Sequence, residues 1–463
     1  MKIFSLITAA ILLIQPLSAQ EQVEEPTPTN AELVAQAEAG NIEATQQLYT
    51  SHALAGETEQ AKKWAALYEQ QLTKKAEQGD VKAMMLLAGS YLNGRDYMPQ
   101  DTAKAVTWFT KAAEKGQPSA AYILGEIFTQ QGNLTESKQF YRRAWDEYNK
   151  LTTGLTAPLT EEQRNALYWQ GYMQLMGIGT EKNPAAGIQK LKQADNEWAW
   201  RQLYRCYVKG IGVEQNLGKA LDYARQLADK ADDGLMAWVT ASAYLKGKGI
   251  EKDEVAGRKY LDKAAAANIA QAIHHKGTLL RDEGKSAEAY NCFNQAASMG
   301  LPEAMTEAAK LLLKGAEGVE KDEARALSML QSAALRYESP HAAMELGLYY
   351  DSVGEPELAN SWYKTASDRG VIEAMARRGL LHITPNSGLN WSPTQMYRWW
   401  KTGSNAGDET CSLYLNLFLF GFIPLVLILS FGVPILVVHL LNKKALKEEA
   451  ESEQNNPHQD ADK

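Results

Sequence analysis

Cysteine is scarce in this sequence, and its spacing excludes two kinds of site. The chain of 463 residues contains three cysteines, Cys206, Cys292 and Cys411, which lie far apart. A disulfide framework or a structural zinc site needs cysteines in pairs or at close spacing. The sequence therefore predicts neither, and we expect three unpaired thiols that are buried in the fold.

An excess of positive charge is also missing. The chain has 48 lysines and arginines against 56 aspartates and glutamates, which gives a net charge of −8. A protein that binds nucleic acid usually presents a basic patch or stripe. The composition therefore disfavours a nucleic-acid partner.

Groups of residues with catalytic or ligand-binding spacing are absent as well. His274 and His275 are neighbours on a predicted helix, so they point about 100° apart and cannot hold one metal ion together. The segment Gly247-Lys248-Gly249 lacks the lysine–serine pair of a phosphate-binding loop, which favours a turn. The sequence predicts no catalytic, metal or cofactor-binding residue and no small-molecule substrate, and it does not describe an enzyme.

What the chain has instead is a recurring pair of short helices, seen first in residues 76–116. Glycines at Gly94 and Gly116 end the two helices, since glycine adopts the left-handed conformation without a Cβ clash. Small and apolar residues share one face of each helix. They are Ala83, Leu87, Ala88 and Tyr91 in the first helix, and Ala105, Trp108, Phe109, Ala112 and Ala113 in the second.

Copies of this hairpin recur with a period of about 37 residues. We define the repeat mark as Ala83 and its equivalents, which are Ala44, Ala120, Ala166, Ala199, Met236, Ala272, Ala304, Ala342 and Ala374. Five residues after most marks a small residue follows, with Tyr49 and Tyr204 as exceptions. One hairpin cannot bury its own apolar face, so the repetition predicts an all-α solenoid of about ten hairpins.

The repeated pattern A-x3-L-G-x2-Y-x2-G-x-G-V, followed by K-A-x2-W-Y-x-K-A-A-x2-G, resembles the Sel-one-like repeat, a relative of the tetratricopeptide repeat. The resemblance covers residues 31–407. It implies a right-handed superhelix with first helices on the concave side, and a scaffold for protein interaction. Some secreted bacterial members join each hairpin by a disulfide, and this chain departs from them.

The resemblance also implies where a protein partner would bind. In tetratricopeptide units, the residues two, three and six positions after each mark face the concave groove. Aromatic and arginine side chains there suit recognition. The alternative is that these rings pack between neighbouring hairpins. The predicted partner-binding residues are Tyr168, Trp169, Tyr172, Arg201, Arg205, Trp238, His274 and His275.

The N-terminal segments predict export. Residues 1–19 combine one lysine, an apolar run too short to span a bilayer and a small-residue ending, as a signal peptide does, although an uncleaved anchor is the alternative. Residues 20–30 form an acidic, proline-containing tether. An insertion at residues 150–163 is either a plain loop or a binding loop, and Thr160 with Gln163 predicts a capping box after it.

The C-terminal segments predict a membrane anchor. Leu413 to Leu441 contains no charged residue and is long enough to span a bilayer as one transmembrane helix, with a buried core helix as the alternative. Lysines follow it, so residues 442–463 are predicted to be a polar cytoplasmic tail. The repeat spacing predicts that the last hairpin packs on the start of this segment, with Trp391, Trp399 and Trp400 near the lipid headgroups. A flexible joint at residues 404–410 is the alternative.

Taken together, these features predict a single-pass membrane protein whose exported solenoid is an interaction scaffold or adaptor. A bacterial inner membrane with a periplasmic solenoid is the favoured setting, and the endoplasmic reticulum membrane with a lumenal solenoid is the alternative. The alternative functions are an envelope-processing enzyme and, in the endoplasmic reticulum, a quality-control adaptor. The identity of the partner does not follow from the sequence.

Overall fold

Helices make up nearly all of the regular secondary structure. A computed structural model of the chain describes residues 30–94, 99–382 and 392–423, and residues 436, 439, 440, 443, 444 and 447. Within these residues there are 22 α-helices and two π-helical turns, and strand pairing is limited to one isolated bridge between Ala316 and Val319. The predicted all-α class is confirmed.

The chain divides into two compact units, residues 1–257 and residues 258–463. Helix α13 (Glu254–Ala266) crosses the boundary between them. The other described helices of the first unit are α1 (Asn30–Glu38), α2 (Ile42–Leu54), α3 (Thr58–Glu77), α4 (Val81–Asn93), α5 (Thr102–Glu114), α6 (Pro118–Gln130), α7 (Leu134–Leu151), α8 (Glu161–Met176), α9 (Pro184–Ala194), α10 (Glu197–Lys209), α11 (Leu217–Lys230) and α12 (Gly234–Lys246).

The second unit continues the same succession of short helices. One π-helical turn, Ser332–Arg336, follows α17, and the other, Leu417–Phe422, follows α22. The described helices of this unit after α13 are α14 (Ala270–Asp282), α15 (Ser286–Ser298), α16 (Pro302–Lys314), α17 (Glu323–Gln331), α18 (Pro340–Ser352), α19 (Pro356–Asp368), α20 (Glu373–Leu381), α21 (Pro393–Asn405) and α22 (Glu409–Asn416).

The helices follow one another as ten pairs, from α2 and α3 to α20 and α21, and every repeat mark lies in the first helix of its pair. All ten marks are buried, with Met236 the most exposed at 7%. Small buried side chains let neighbouring helices approach closely. The predicted solenoid of about ten helical hairpins is therefore confirmed in its helix order and in its buried positions.

Short polar side chains set where many helices begin. Asn196 and Asn216 accept a hydrogen bond from the backbone N–H three residues later, at 2.9 Å in both cases, and so satisfy a donor at the helix start. Thr160 and Gln163 form the predicted capping box at the start of α8. In the insertion before it, Leu155 and Leu159 pack against the core of the first unit.

The glycine-rich connections within hairpins are turns, as the sequence predicts. Gly177 ends α8 in the left-handed conformation with φ = 73°. Two residues later, Gly179 has φ = 65°, and a Cβ there would overlap the backbone carbonyl of Tyr141. The first glycine therefore ends the helix, and the second permits close backbone contact with the preceding hairpin.

The three cysteines are unpaired. Cys206 and Cys411 are buried, as expected, whereas Cys292 is half-buried. Burial raises the pKa of the Cys206 thiol to about 11 and that of Cys411 to about 12. Because the thiolate is the reactive form, both buried thiols are protonated and unreactive near neutral pH.

The start of the predicted membrane segment packs on the last hairpin. Cys411 of α22 lies against Gly403 of α21. The ring of Trp400 is 5.6 Å from that of Tyr414 and 5.8 Å from that of Phe418, measured between centroids. Its indole N–H donates to the carbonyl oxygen of Ala376 at 3.3 Å. Residues 411–418 therefore pack on the last hairpin with Trp400 buried between them, and the membrane helix itself stays a prediction.

Other predictions for the two ends of the chain lie outside the described residues. Among the residues that are described, no helix combines the length and the apolar character needed to cross a membrane. The predicted segments that lie wholly or largely outside are the signal peptide 1–19, the tether 20–30, Trp391, residues 424–435 of the transmembrane segment and most of the tail 442–463.

Candidate partner-binding surface

The candidate surface is formed by two first helices of the first unit, α10 and α12. Asn196 caps α10 and Asp233 caps α12, and Gly210 and Gly247 end the two helices in the left-handed conformation. These local signals make both helices 13 residues long. We call their shared surface the α10–α12 face, and its residues are Arg201, Tyr204, Arg205 and Val208 of α10 with Trp238, Val239 and Ser242 of α12.

A cleft of about 290 Å³ opens on this face. Tyr204 and Trp238 contribute its two aromatic rings, and Lys248 is the charged residue of its lining. Most of the other side chains are apolar. The complete lining is Tyr204, Val208, Leu217, Ala220, Leu221, Trp238, Val239, Ser242, Ala243 and Lys248.

At the cleft, the large and small residues of one hairpin have exchanged helices compared with three other hairpins. In three other hairpins a glycine of the first helix faces an aromatic ring sixteen residues later, in the pairs Gly125/Tyr141, Gly277/Phe293 and Gly347/Tyr363. A Cβ at Gly277 would lie 2.8 Å from the ring of Phe293, so these contacts require glycine.

In the α10/α11 hairpin the large residue is in the first helix instead. Tyr204 takes the place of the glycine, and Ala220, sixteen residues later, takes the place of the ring. The next hairpin has Ala241 and Gly257 at these two places, and so it supplies no ring either. Tyr204 is half-exposed, Ala220 is buried, and both line the cleft. The open space therefore lies beside the position that holds a ring in those three hairpins.

The charges on this face are mainly positive. Arg205 is exposed, and in the described part of the chain it forms no ion pair or hydrogen bond. The guanidinium of Arg201 is paired with the carboxylates of Glu197 and Asp233. Burial raises the pKa of Tyr204, so its phenol stays neutral at physiological pH. Arg205 on this face and Lys248 in the cleft lining are thus cations without an ion pair in the described structure, and both can attract a ligand.

The structure corrects the placement of three predicted partner-binding residues. Tyr168, Trp169 and Tyr172 are 8%, 3% and 8% exposed and belong to the core of the first unit. The Trp169 ring lies 4.7 Å from that of Tyr122 and 6.3 Å from that of Tyr148. The rings reach across to the preceding hairpin, where burial of their large apolar area is favourable. Their side chains therefore do not form an accessible surface.

The other five residues are more accessible. Arg201 and Trp238 are half-buried and Arg205 is exposed, and all three lie on the α10–α12 face. His274 and His275 are half-buried in the second unit. The His274 ring lies 5.5 Å from that of Phe293, and burial lowers its pKa, so the imidazole is neutral at pH 7. Whether any of these residues binds a partner stays a prediction.

Sequence reasoning missed most of the cleft. Tyr204 departs from the rule of small residues five positions after the mark, and this departure was the available signal. The second part of this signal is Ala220, an alanine sixteen residues later at the position where three other hairpins have an aromatic ring. Lys248 lies in a segment that the sequence predicts only to be a turn. Among the described residues, no group of three or more His, Cys, Asp or Glu side chains could hold a metal ion.

The fold and this surface define a helical-repeat protein, in which hairpins stack on their neighbours. The Sel1 repeat profile matches residues 81–117, 164–189, 192–232, 236–269, 266–301, 302–336 and 340–371, and a tetratricopeptide-repeat profile matches residues 118–146. The Sel1 matches span about half of the chain. The chain belongs to the Sel1 repeat family.

Two solved structures are similar to this chain at low sequence identity. A protective antigen of uropathogenic Escherichia coli with an SLR fold is 24% identical, with a TM-score of 0.58 and coverage of 85% of this chain and 83% of that one. A Sel1 repeat protein from Oxalobacter formigenes is 22% identical, with a TM-score of 0.43 and coverage of 76% and 100%. The first likeness supports the fold.

One curated relative is similar over a larger share of this chain than of its own length. Chitin synthase regulatory factor 4 of Schizosaccharomyces pombe is 23% identical over 327 residues, which is 68% of this chain and 46% of that protein. The chain therefore spans about half the length of this relative.

Proposed function

We propose that this protein is a membrane-anchored adaptor that binds a protein partner on the α10–α12 face and has no catalytic activity of its own. The observation that carries the proposal is the placement of Trp238 in the lining of an apolar cleft, with Arg205 exposed on the helix that supplies Tyr204 to that lining. Tryptophan and arginine are the residue types that most often dominate binding energy at protein interfaces. Sel1 repeat proteins act as protein-interaction scaffolds, and the name of the yeast relative describes a regulatory factor.

Alanine substitution tests this surface. In crosslinked pull-downs of the full chain, Arg205→Ala and Trp238→Ala are each expected to weaken partner recovery, because loss of a hot spot costs about 2 kcal/mol, roughly thirtyfold in affinity. Both residues are incompletely buried, so the circular dichroism spectrum is expected to stay the same.

Arg142→Ala is the matched control, since Arg142 is an exposed arginine of a second helix, α7, with only a surface ion pair to Asp146. It is expected to retain the partner. If both surface variants fold and recover as much partner as the unchanged chain, the α10–α12 face is not the binding surface.

The membrane part of the proposal is supported by the C-terminal segment. The 29 residues from Leu413 to Leu441 carry no charged side chain. Where this segment begins, Leu413, Leu417 and Phe420 are 56%, 59% and 79% exposed. All three side chains are apolar and exposed, which suits contact with lipid. Lys443 and Lys444 follow, and this bias favours a cytoplasmic tail.

Cell fractionation tests the anchor. The full chain is expected to stay in the membrane pellet after carbonate extraction. The double variant Leu427→Arg with Leu429→Arg is expected to leave the pellet, because each arginine near the centre of a spanning helix costs about 2.5–3.5 kcal/mol. Leu54→Arg is the control, since Leu54 is 85% exposed in the solenoid. Extraction of the unchanged chain by carbonate would contradict the anchor.

A further inference from the structure

We infer that the cleft on the α10–α12 face receives one large apolar side chain of the partner, from a segment whose flanking residues are acidic. This inference rests on the proposed function and adds the chemistry of the ligand to it. The volume of about 290 Å³ is just below the range for small-molecule pockets, about 300–1,000 Å³. It suits a single side chain better than a whole cofactor.

The hairpins of this chain themselves indicate the type of side chain. Tyr141, Phe293 and Tyr363 each place a ring against the first helix of their hairpin. The α10/α11 hairpin has Ala220 at that position and leaves the space open. An apolar ring supplied from outside would reproduce the packing that those three hairpins have and would remove apolar surface from water.

A second reversed pair shows that the reversal alone does not make a site. Tyr49 and Ala65 in the α2/α3 hairpin have the same order of sizes and the same sixteen-residue spacing as Tyr204 and Ala220. There, the Tyr49 ring stacks on Tyr68 at 6.4 Å and is only 9% exposed. Tyr204 remains half-exposed beside an open cleft. The space in the α10/α11 hairpin is therefore left for another molecule.

The positive charges near the cleft favour a partner segment with acidic residues on either side of its apolar side chain. Lys248 lines the cleft, and within the described residues no ion pair neutralises its ammonium group. Arg205 is exposed on the helical turn next to Tyr204 and is also unpaired in the described structure. Arg201 is already neutralised by Glu197 and Asp233. Carboxylates on either side of the apolar anchor would meet the two free cations, and lysines there would be repelled.

The experiment measures binding of three short fluorescein-labelled peptides to the full chain by fluorescence anisotropy. The first peptide has a central phenylalanine flanked by aspartate and glutamate. The second has serine in place of phenylalanine, and the third has lysines in place of the acidic residues. The first is expected to bind about tenfold more tightly than either of the others, because only it offers both the buried ring and the opposite charge.

Two variants locate the binding. The swap Tyr204→Gly with Ala220→Tyr reproduces the Gly347/Tyr363 arrangement and is expected to fill the cleft and weaken binding of the acidic phenylalanine peptide about tenfold. Lys248→Glu leaves the packing unchanged and is expected to remove the preference for acidic over basic peptide. Lys192→Glu, the same charge change on an exposed residue of α9, is the control and is expected to have no effect.

Each other outcome overturns the inference. The inference is wrong if the three peptides bind equally or if the basic peptide binds best. It is also wrong if binding is unchanged by both the swap and Lys248→Glu. Tighter peptide binding after deletion of residues 21–29 would assign the cleft to the chain's own acidic tether. If these peptide tests fail while Arg205→Ala and Trp238→Ala still lose the partner, the proposed function stands without this ligand chemistry.

Discussion

Replacing Trp169 by alanine is expected to destabilise the first unit by about 3–5 kcal/mol, the usual cost of truncating a large buried aromatic side chain. The ring is 3% exposed and packs against Tyr122, Tyr148, Tyr168 and Tyr172. Its loss would leave a cavity where the α6/α7 and α8/α9 hairpins meet. Hydrogen exchange should show lost protection in α6, α7 and α8, since repeats couple to their nearest neighbours.

Trp238→Ala is the matched control for this prediction. Both tryptophans lie within three residues of a repeat mark in a first helix, but Trp238 is half-buried at the cleft. Its loss is expected to change protection little and partner binding strongly. If Trp169→Ala left the exchange of all three helices unchanged, the ring would not be a core residue. A variant combining both changes would mix a folding defect with a binding defect.

Gly347→Leu is expected to destabilise the second unit by roughly 1–3 kcal/mol or more, because it overpacks a close contact between two helices. A Cβ at Gly347 would overlap the ring of Tyr363, which is fully buried. The loss of hydrogen-exchange protection should concentrate in α18 and α19. A uniform rise along the chain would count against nearest-neighbour coupling between repeats.

A double-mutant cycle with Tyr363→Ala shows whether the ring is the cause. Tyr363→Ala alone is expected to destabilise the unit by about 3–5 kcal/mol through the cavity it leaves. In the double variant, leucine can occupy part of that cavity, so the loss should be smaller than the sum by about 0.5–3 kcal/mol. Strict additivity would show that Gly347 and Tyr363 do not interact.

The reversed pair carries information that neither residue carries alone. A tyrosine at the small position looks like an irregular repeat, and an alanine in a second helix is ordinary. Together, Tyr204 and Ala220 mark a hairpin whose packing is not completed from within. Comparing the two positions within each hairpin would have identified this site from sequence. The same comparison also selects Tyr49 and Ala65, but there the ring of Tyr68 stacks on Tyr49.

The sequence by itself determined the features that depend on local chemistry. Polar caps such as Asn196 and left-handed glycines such as Gly177 set where helices begin and end, and they act through neighbouring backbone groups. The period of small buried marks determined that the hairpins repeat. One further period of about 37 residues after Ala374 reaches Cys411, which is buried against α21.

Only the tertiary structure decided which rings near the marks are accessible. Trp169 and Trp238 lie three and two residues after their marks, yet one is in the core and the other borders a cleft. The difference comes from what the neighbouring hairpin offers. Tyr122 and Tyr148 cover Trp169, whereas small residues such as Ala220 and Ala243 leave space beside Trp238. Burial depends on the volume of residues distant in sequence, and a local pattern does not contain that volume.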